Sequence, residues 1–155
     1  MIKLGRLTDY AVTLLTQMIS GKAGVWAASD LAEKTGLPMP TVSKILKQLA
    51  KAGVVRAQRG ASGGYRLALA PSDLSVAAIV EAMDGPIALT ECTESGDHGC
   101  SVEPICPMRG NWDKVNRAVR QALATVSLAD MVTPAYSFPA SPLSVPSLQD
   151  HGGDA

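Results

Sequence analysis

Residues Ser29 to Lys51 read SDLAEKTGLPMPTVSKILKQLAK, and this stretch decides the fold. Ser29 suits a helix N-cap, and Asp30 and Glu33 follow in the first turn, where the helix dipole favours acids. Gly36 supplies the left-handed residue that ends such a helix. Pro38-Met39-Pro40 then forces an extended entry, with Pro40 compatible with a first helical position. Val42, Ile45, Leu46 and Leu49 repeat at i, i+3, i+4 and i+7, the apolar face of a second helix, and Gly53 follows as its C′ residue. Ala32 is small where the two helices touch. Two helices joined by a tight turn, the second with a polar and basic outer face, imply a helix-turn-helix. That face offers Thr41, Ser43, Lys44, Lys47, Gln48 and Lys51. Its N-terminal members suit base edges in a major groove, and its lysines suit phosphates.

Upstream, Thr8 and Asp9 start a helix whose one face is Ala11, Leu14, Leu15, Met18 and Ile19. Downstream, Val54–Gln58 and Gly64–Leu69 read as strands. Arg59-Gly60-Ala61-Ser62-Gly63 lies between them as a basic, glycine-rich hairpin tip. This hairpin is a wing: Arg59 suits a minor groove, and Arg56 and Arg66 suit the flanking backbone. Pro71 closes the region. Ser75 caps a helix through Val76, Ile79, Val80 and Met83, ended by Asp84-Gly85-Pro86. A long helical pattern runs from about Met108 to Val126. Along it Trp112, Val115, Val119, Ala122 and Val126 form a heptad-like seam. Ser127 to Met131 resembles one more capped turn. Residues 133–155 hold four prolines, four serines and two glycines without periodicity, the composition of a disordered tail.

The chain has 155 residues, 14 Lys+Arg and 14 Asp+Glu, so its formal net charge is zero. The charges are segregated. Residues 1–70 carry +7 and residues 71–155 carry −7. A surface of lysines can be mere solvation, but that reading leaves the bias and the glycine-flanked Arg59 unexplained, whereas a polyanion partner explains both. With 46% hydrophobic residues the chain can bury a core. No apolar run suits a membrane helix, and the N-terminus lacks a signal-peptide core, which points to the cytoplasm. Aromatics at 4% argue weakly against a base-stacking single-strand binder. No paired carboxylates, phosphate loop or nucleophile motif suggests an enzyme.

Cys92, Cys100 and Cys106 are the chain's three cysteines, spaced C-x7-C-x5-C. Such an odd, clustered set favours metal or redox chemistry over a disulfide framework. Thiolates are soft ligands for iron–sulfur clusters or zinc, and Gly96, Gly99, Pro104 and Pro107 let a loop fold around a metal. Structural zinc usually wants four ligands with a close cysteine pair, which is missing here. Three unrelated thiols remain the bland alternative. A fourth ligand has several candidates: His98 inside the loop, the carboxylates of Glu91, Glu94, Asp97 or Glu103, and, less favourably, His151 in the tail.

Several motifs together resemble the Rrf-two family of bacterial winged-helix regulators, the IscR- and NsrR-like proteins. They are Leu7-Thr8-Asp9-Tyr10-Ala11-Val12, the helix-turn-helix, the wing string Arg59 to Tyr65, the helix after Ser75, and three cysteines before a long helix. The resemblance covers about residues 1–131. Leu89-Thr90-Glu91-Cys92 with Cys106-Pro107-Met108-Arg109-Gly110-Asn111-Trp112 looks most like the subgroup regulating the Suf iron–sulfur assembly operon. The resemblance implies a homodimer that crosses its long C-terminal helices, palindromic promoter DNA as partner, and Cys92, Cys100 and Cys106 as cluster ligands. IscR-like members carry a ligand histidine three residues after the last cysteine, where this chain has Arg109. NsrR-like members use an aspartate near the start of the first helix of the other subunit, and Asp9 matches that position. Asp9 therefore ranks first as fourth ligand, although a helix-start acid is commonly just a dipole partner. His98 ranks second, and an exogenous or mobile ligand third.

The expectation is a mainly α fold with a small β-hairpin. Residues 1–70 would form a winged helix-turn-helix, residues 71–131 the cluster loop and dimerisation helix, and residues 132–155 a disordered tail. The expected function is a homodimeric, cluster-sensing transcriptional regulator that represses Suf-type assembly genes when clusters are plentiful. Thr41, Ser43, Lys44, Lys47 and Arg59 would meet DNA, and Trp112, Val115, Val119 and Val126 the partner subunit. A [4Fe–4S] cluster is favoured over [2Fe–2S]. The alternatives are a thiol-redox or zinc-dependent regulator, and a cluster-carrying accessory protein with no DNA target.

Overall fold

The computed structural model describes residues 3–20, 24–60, 63–93, 96, 99–108 and 110–132 of the chain. The proline- and serine-rich segment 133–155 lies outside the described residues, as do His98 and Arg109.

Three helices come first: α1 (Arg6–Ser20), α2 (Ala28–Thr35) and α3 (Met39–Lys51). The faces read from periodicity are the buried ones. Ala11, Leu14, Leu15 and Met18 of α1 meet Leu31 of α2 and Val42, Ile45, Leu46 and Leu49 of α3 in one cluster. Gly36 ends α2 in the left-handed conformation, φ 69°, which turns the chain tightly into Pro38.

The starts of α1 and α2 differ from expectation. Thr8 lies inside the first turn of α1, completely buried, with its Oγ1 unpartnered. The N-cap of α2 is Ala27, not Ser29, and the Ser29 hydroxyl instead donates to the Asp30 carboxylate at 3.3 Å. The cause lies outside the helix. Trp26 is held as an extended residue by paired backbone bonds with Tyr65, each 2.8 Å, so the chain is released into helix immediately after it.

Strands β1 (Val55–Gln58) and β2 (Gly64–Leu67) form an antiparallel hairpin, with Trp26 adding a third rung beside Tyr65. Each strand is shorter than the hydrophobic pattern suggested, since Val54 and Leu69 lie outside the ladder. Gly64 is required at the crossing. A Cβ there would lie 2.4 Å from the Trp26 carbonyl oxygen.

A 3-10 turn (Pro71–Asp73) leads to α4 (Val76–Asp84), whose N-cap Ser75 accepts from the Ala78 N–H as expected. Helices α5 (Asn111–Thr125) and α6 (Leu128–Val132) complete the described chain. α5 starts three residues later than the apolar pattern because Gly110 sits in the left-handed conformation, φ 75°. It ends at Thr125 because Val126 is extended and its carbonyl accepts from the Val76 N–H. The Leu128 N–H donates to the Leu74 carbonyl at 2.7 Å, which pins the start of α6 against the start of α4.

Leu74, Ile79, Met83 and Leu128 join the same core cluster as α1, α2 and α3. Ser127 and Asp130 make a reciprocal cap at α6: the Asp130 carboxylate accepts from the Ser127 N–H and hydroxyl, and the Asp130 N–H donates back to the Ser127 Oγ. These hydrogen bonds hold the Asp130 carboxyl below its ordinary range.

Candidate nucleic-acid interface and thiol loop

α3 is positioned for contact by burying Val42, Ile45, Leu46 and Leu49 on its inner side. That leaves Lys44, Lys47 and Lys51 exposed, with Thr41 and Ser43 half-buried near the helix start. Gln48 departs from the expected outward position. Its side-chain amide donates to the Met83 carbonyl at 2.6 Å and to the Ala82 carbonyl at 3.3 Å. Periodicity could not separate it from its lysine neighbours, because its partners come from α4, over 30 residues away.

Arg59 stands exposed beyond the end of β1, and Gly60 beside it adopts φ 112°. Arg56 and Arg66 are both exposed and directly paired across the hairpin. The exposed cations therefore occupy two adjoining elements, a helix presented by its partner helix and a hairpin that follows it directly. The residues at the very tip, Ala61 and Ser62, lie outside the described residues.

The thiol loop leaves α4 at Gly85, whose φ of 88° makes a turn that favours glycine. Asn116 of α5, 4% exposed, grips the segment that follows. Its Nδ2 donates to the Ile87 carbonyl at 2.8 Å, and its Oδ1 accepts from the Leu89 N–H at 3.0 Å. Glu81 and Arg120 tie α4 to α5 beside it at 2.7 Å, and Glu81 raises the pKa of that guanidinium further by hydrogen bonding and charge. Thr90 Oγ1 lies 3.4 Å from Cys92 Sγ, and the Thr93 hydroxyl donates to the Thr90 carbonyl. A 3-10 turn (Glu103–Ile105) precedes Cys106.

Cys92, Cys100 and Cys106 are free and half-buried. Among the described residues no three of these thiols, histidines and carboxylates gather around one point. Asp9 is exposed in the first turn of α1, beside Lys3, Leu4, Gly5 and Arg6. His98, Glu94 and Asp97 lie outside the described residues. The donor set has the softness an iron–sulfur cluster needs. Among the described residues of the chain it is not brought together.

On α5, Trp112 and Val115 are 40% and 45% exposed and Val119 is half-buried; Val126, expected in the same helical seam, is instead extended and half-buried just past the helix end. The helix turns Asn116 toward its own chain and leaves the apolar seam at the edge of the contact. Trp26, Gln48, Asn116 and Leu128 all position other segments in ways that sequence periodicity did not reveal. A buried polar residue such as Asn116, inside an otherwise regular helix, leaves only the weak signal of a broken pattern.

A helix-turn-helix followed by a β-hairpin wing, both edged with cations, defines a winged-helix DNA-binding protein. The chain belongs to the Rrf2 family, whose model, described as an iron-dependent transcriptional regulator, matches residues 4–134. It is 29% identical over 132 residues to the HTH-type transcriptional regulator IscR of Aliivibrio salmonicida, covering 84% of this chain and 77% of that protein. It is 26% identical to the HTH-type transcriptional regulator NsrR of Halalkalibacterium halodurans over 133 residues, 85% of this chain and 91% of that protein. Among solved structures, CymR, the global cysteine regulator of B. subtilis, superposes with a TM-score of 0.65 at 26% identity, covering 85% of this chain and 97% of CymR. The family model and the IscR and NsrR relatives describe transcriptional regulators, not enzymes. No helix among the described residues is long and apolar enough to cross a membrane.

Proposed function

We propose that this regulator senses iron–sulfur cluster status and represses Suf-type cluster-assembly genes. The observation that carries this reading is the set of three free, half-buried thiols on the one loop between α4 and α5, whose entry Asn116 grips. The iron dependence in the family description supports it. Cys92, Cys100 and Cys106 would hold the cluster, [4Fe–4S] in preference to [2Fe–2S]. Asp9 of a second subunit would be the fourth ligand, with His98 ranked behind it. When bound, such a group supplies a redox- and iron-sensitive link between loop and partner subunit. Its hardest ligand, a carboxylate, would be the weakest bond.

The chain's own residues set what that link acts on. Lys44 and Lys47 meet phosphates, Thr41 and Ser43 approach base edges, and Arg59 enters the minor groove beside the wing. A homodimer joined through Trp112, Val115, Val119 and Val126 would fix the separation of two α3 helices to match a palindromic operator. The exposure of Trp112 and Val115 in the single chain supports that seam. The two sensor states must differ in DNA affinity for the switch to work.

The test is anaerobic purification with visible spectroscopy and iron and sulfide counts, wild type beside Asp9→Ala and His98→Ala. Iron and sulfide in the wild type, with a loss in Asp9→Ala alone, supports the full reading. Colourless, iron-free protein whose DNA affinity still changes on thiol oxidation assigns the sensor to the thiols instead. Binding to the upstream DNA of the assembly genes is measured on the same samples.

A further inference from the structure

The end of α4 is held from two sides. Gln48, on the helix that faces DNA, donates to the Ala82 and Met83 carbonyls. These are among the last carbonyls of α4, which have no partner within their own helix. Four residues after Met83, Asn116 of α5 holds the Ile87 carbonyl, and then the Leu89 N–H, with both atoms of one buried amide. Cys92 follows Leu89 by three residues, with its sulfur beside the Thr90 hydroxyl. Between the two grips lie only Asp84, Gly85 and Pro86. Pro86 is stiff, Gly85 is fixed in a glycine-favouring conformation, and Asp84 accepts from the Gly5 N–H at the start of α1 at 3.3 Å. The segment 82–92 is thus a short strap with little slack, fastened to α3 at one end and running into the thiol loop at the other.

We propose that this strap is the mechanical link between the thiol loop and the DNA-facing helix, with Gln48 and Asn116 as its positioning residues. A pull on the chain at Cys92 reaches Ile87 and Leu89, where Asn116 resists it, and then the α4 carbonyls, where Gln48 passes it to α3. Coupling of this kind is carried by contiguous hydrogen bonds and rigid elements, and it acts equally in both directions. The proposal rests on the functional reading above only in naming α3 as the DNA side and Cys92 as the sensing side.

Reciprocity gives a test that needs neither DNA nor cluster. In the reduced, metal-free full-length chain, the iodoacetamide alkylation rate of each cysteine is measured by mass spectrometry for wild type and Gln48→Met. Met conserves volume and packing while removing both hydrogen bonds. The expected result is a rise of about fivefold at Cys92 and little change at Cys106, which lies beyond the strap. In the opposite direction, Asn116→Ser is expected to speed amide exchange in the C-terminal half of α3 about fivefold, and in Gln48→Met/Asn116→Ser by no more than in Gln48→Met alone. An unchanged Cys92 rate in folded Gln48→Met overturns the link, as does an equal rise at all three cysteines, which reports general loosening. If Gln48→Met fails to fold, Gln48→Lys, which retains a donor to the same carbonyls, is expected to restore the wild-type Cys92 rate, and failure to do so overturns it too. Neither readout involves DNA, so failure of the DNA or cluster reading registers in the binding and iron assays, not here.

Discussion

Arg56 and Arg66 stand directly opposite each other across the two strands of the wing, both side chains exposed. Like charges at paired positions disfavour a hairpin in isolation, so the pair is a local cost that a polyanion offsets. Replacing both by alanine is expected to leave stability unchanged or slightly higher and to weaken DNA binding across all sequences. The slope of log K against log salt should flatten by about 0.9 for each phosphate that is no longer neutralised. Fluorescence anisotropy over a salt series reads both effects, and an unaltered slope rules the pair out as a phosphate clamp.

Gly64→Ala places a methyl group 2.4 Å from the Trp26 carbonyl oxygen, against the Trp26–Ala27 backbone. The wing root must shift, at a cost of about 1–3 kcal/mol for overpacking. Urea denaturation measures the loss. A Gly64→Ala chain as stable as wild type would mean that the Trp26–Tyr65 pairing is dispensable.

Leu128 is fully buried in the same core as α1 and α3, although it lies beyond the thiol loop and α5. Leu128→Ala is expected to destabilise the whole unit by about 2–5 kcal/mol, in a single cooperative transition. Circular dichroism with denaturant would show instead two separate transitions if the C-terminal helix were an independent appendage.

The Asp130 carboxyl is held below its ordinary range by the Ser127 hydroxyl and N–H. A carboxyl whose pKa is lower in the folded state stabilises that state above its unfolded pKa of about 3.9. That contribution disappears as pH falls through the folded value. Asp130→Asn is therefore expected to lower Tm at neutral pH, with the gap to wild type closing below about pH 4. A gap independent of pH would locate the effect elsewhere in the cap. Ser127→Ala removes the hydroxyl half and should cost about 1 kcal/mol.

Trp112 and Val115 carry exposed apolar surface on a helix that is tied to α4 through Arg120 and to the segment after α4 through Asn116. Val115→Glu is expected to weaken self-association at least about tenfold, since a charge on an apolar interface must be desolvated without a partner. Sedimentation equilibrium gives the dissociation constant, and an unchanged value excludes this seam as the subunit contact.

Much of the fold was legible in the chain. Periodic apolar positions named the buried faces of α1, α3 and α4, because burial of a helix stripe repeats every 3.6 residues whatever it packs against. Gly36 and Ser75 marked helix ends because their conformational and hydrogen-bonding preferences act within a few residues. The segregation of +7 and −7 likewise pointed to a polyanion partner for one half. Where a tertiary neighbour set the boundary, the reading failed. Trp26 pairs with Tyr65 and moved the cap of α2 from Ser29 to Ala27. Val126 pairs with Val76 and ended α5 early.

The sequence alone determined the helix-turn-helix, the wing, and three closely spaced thiols, because these depend on local preference and residue type. The tertiary structure decided which polar residues face inward. Gln48 sits among lysines and by spacing belonged with them, yet the unpaired carbonyls at the end of α4 claim its amide. Asn116 is buried for the same reason, with the Ile87 carbonyl and Leu89 N–H needing partners where the chain leaves α4. A backbone group that loses water must find a partner, and which side chain supplies it depends on distances between segments far apart in the chain.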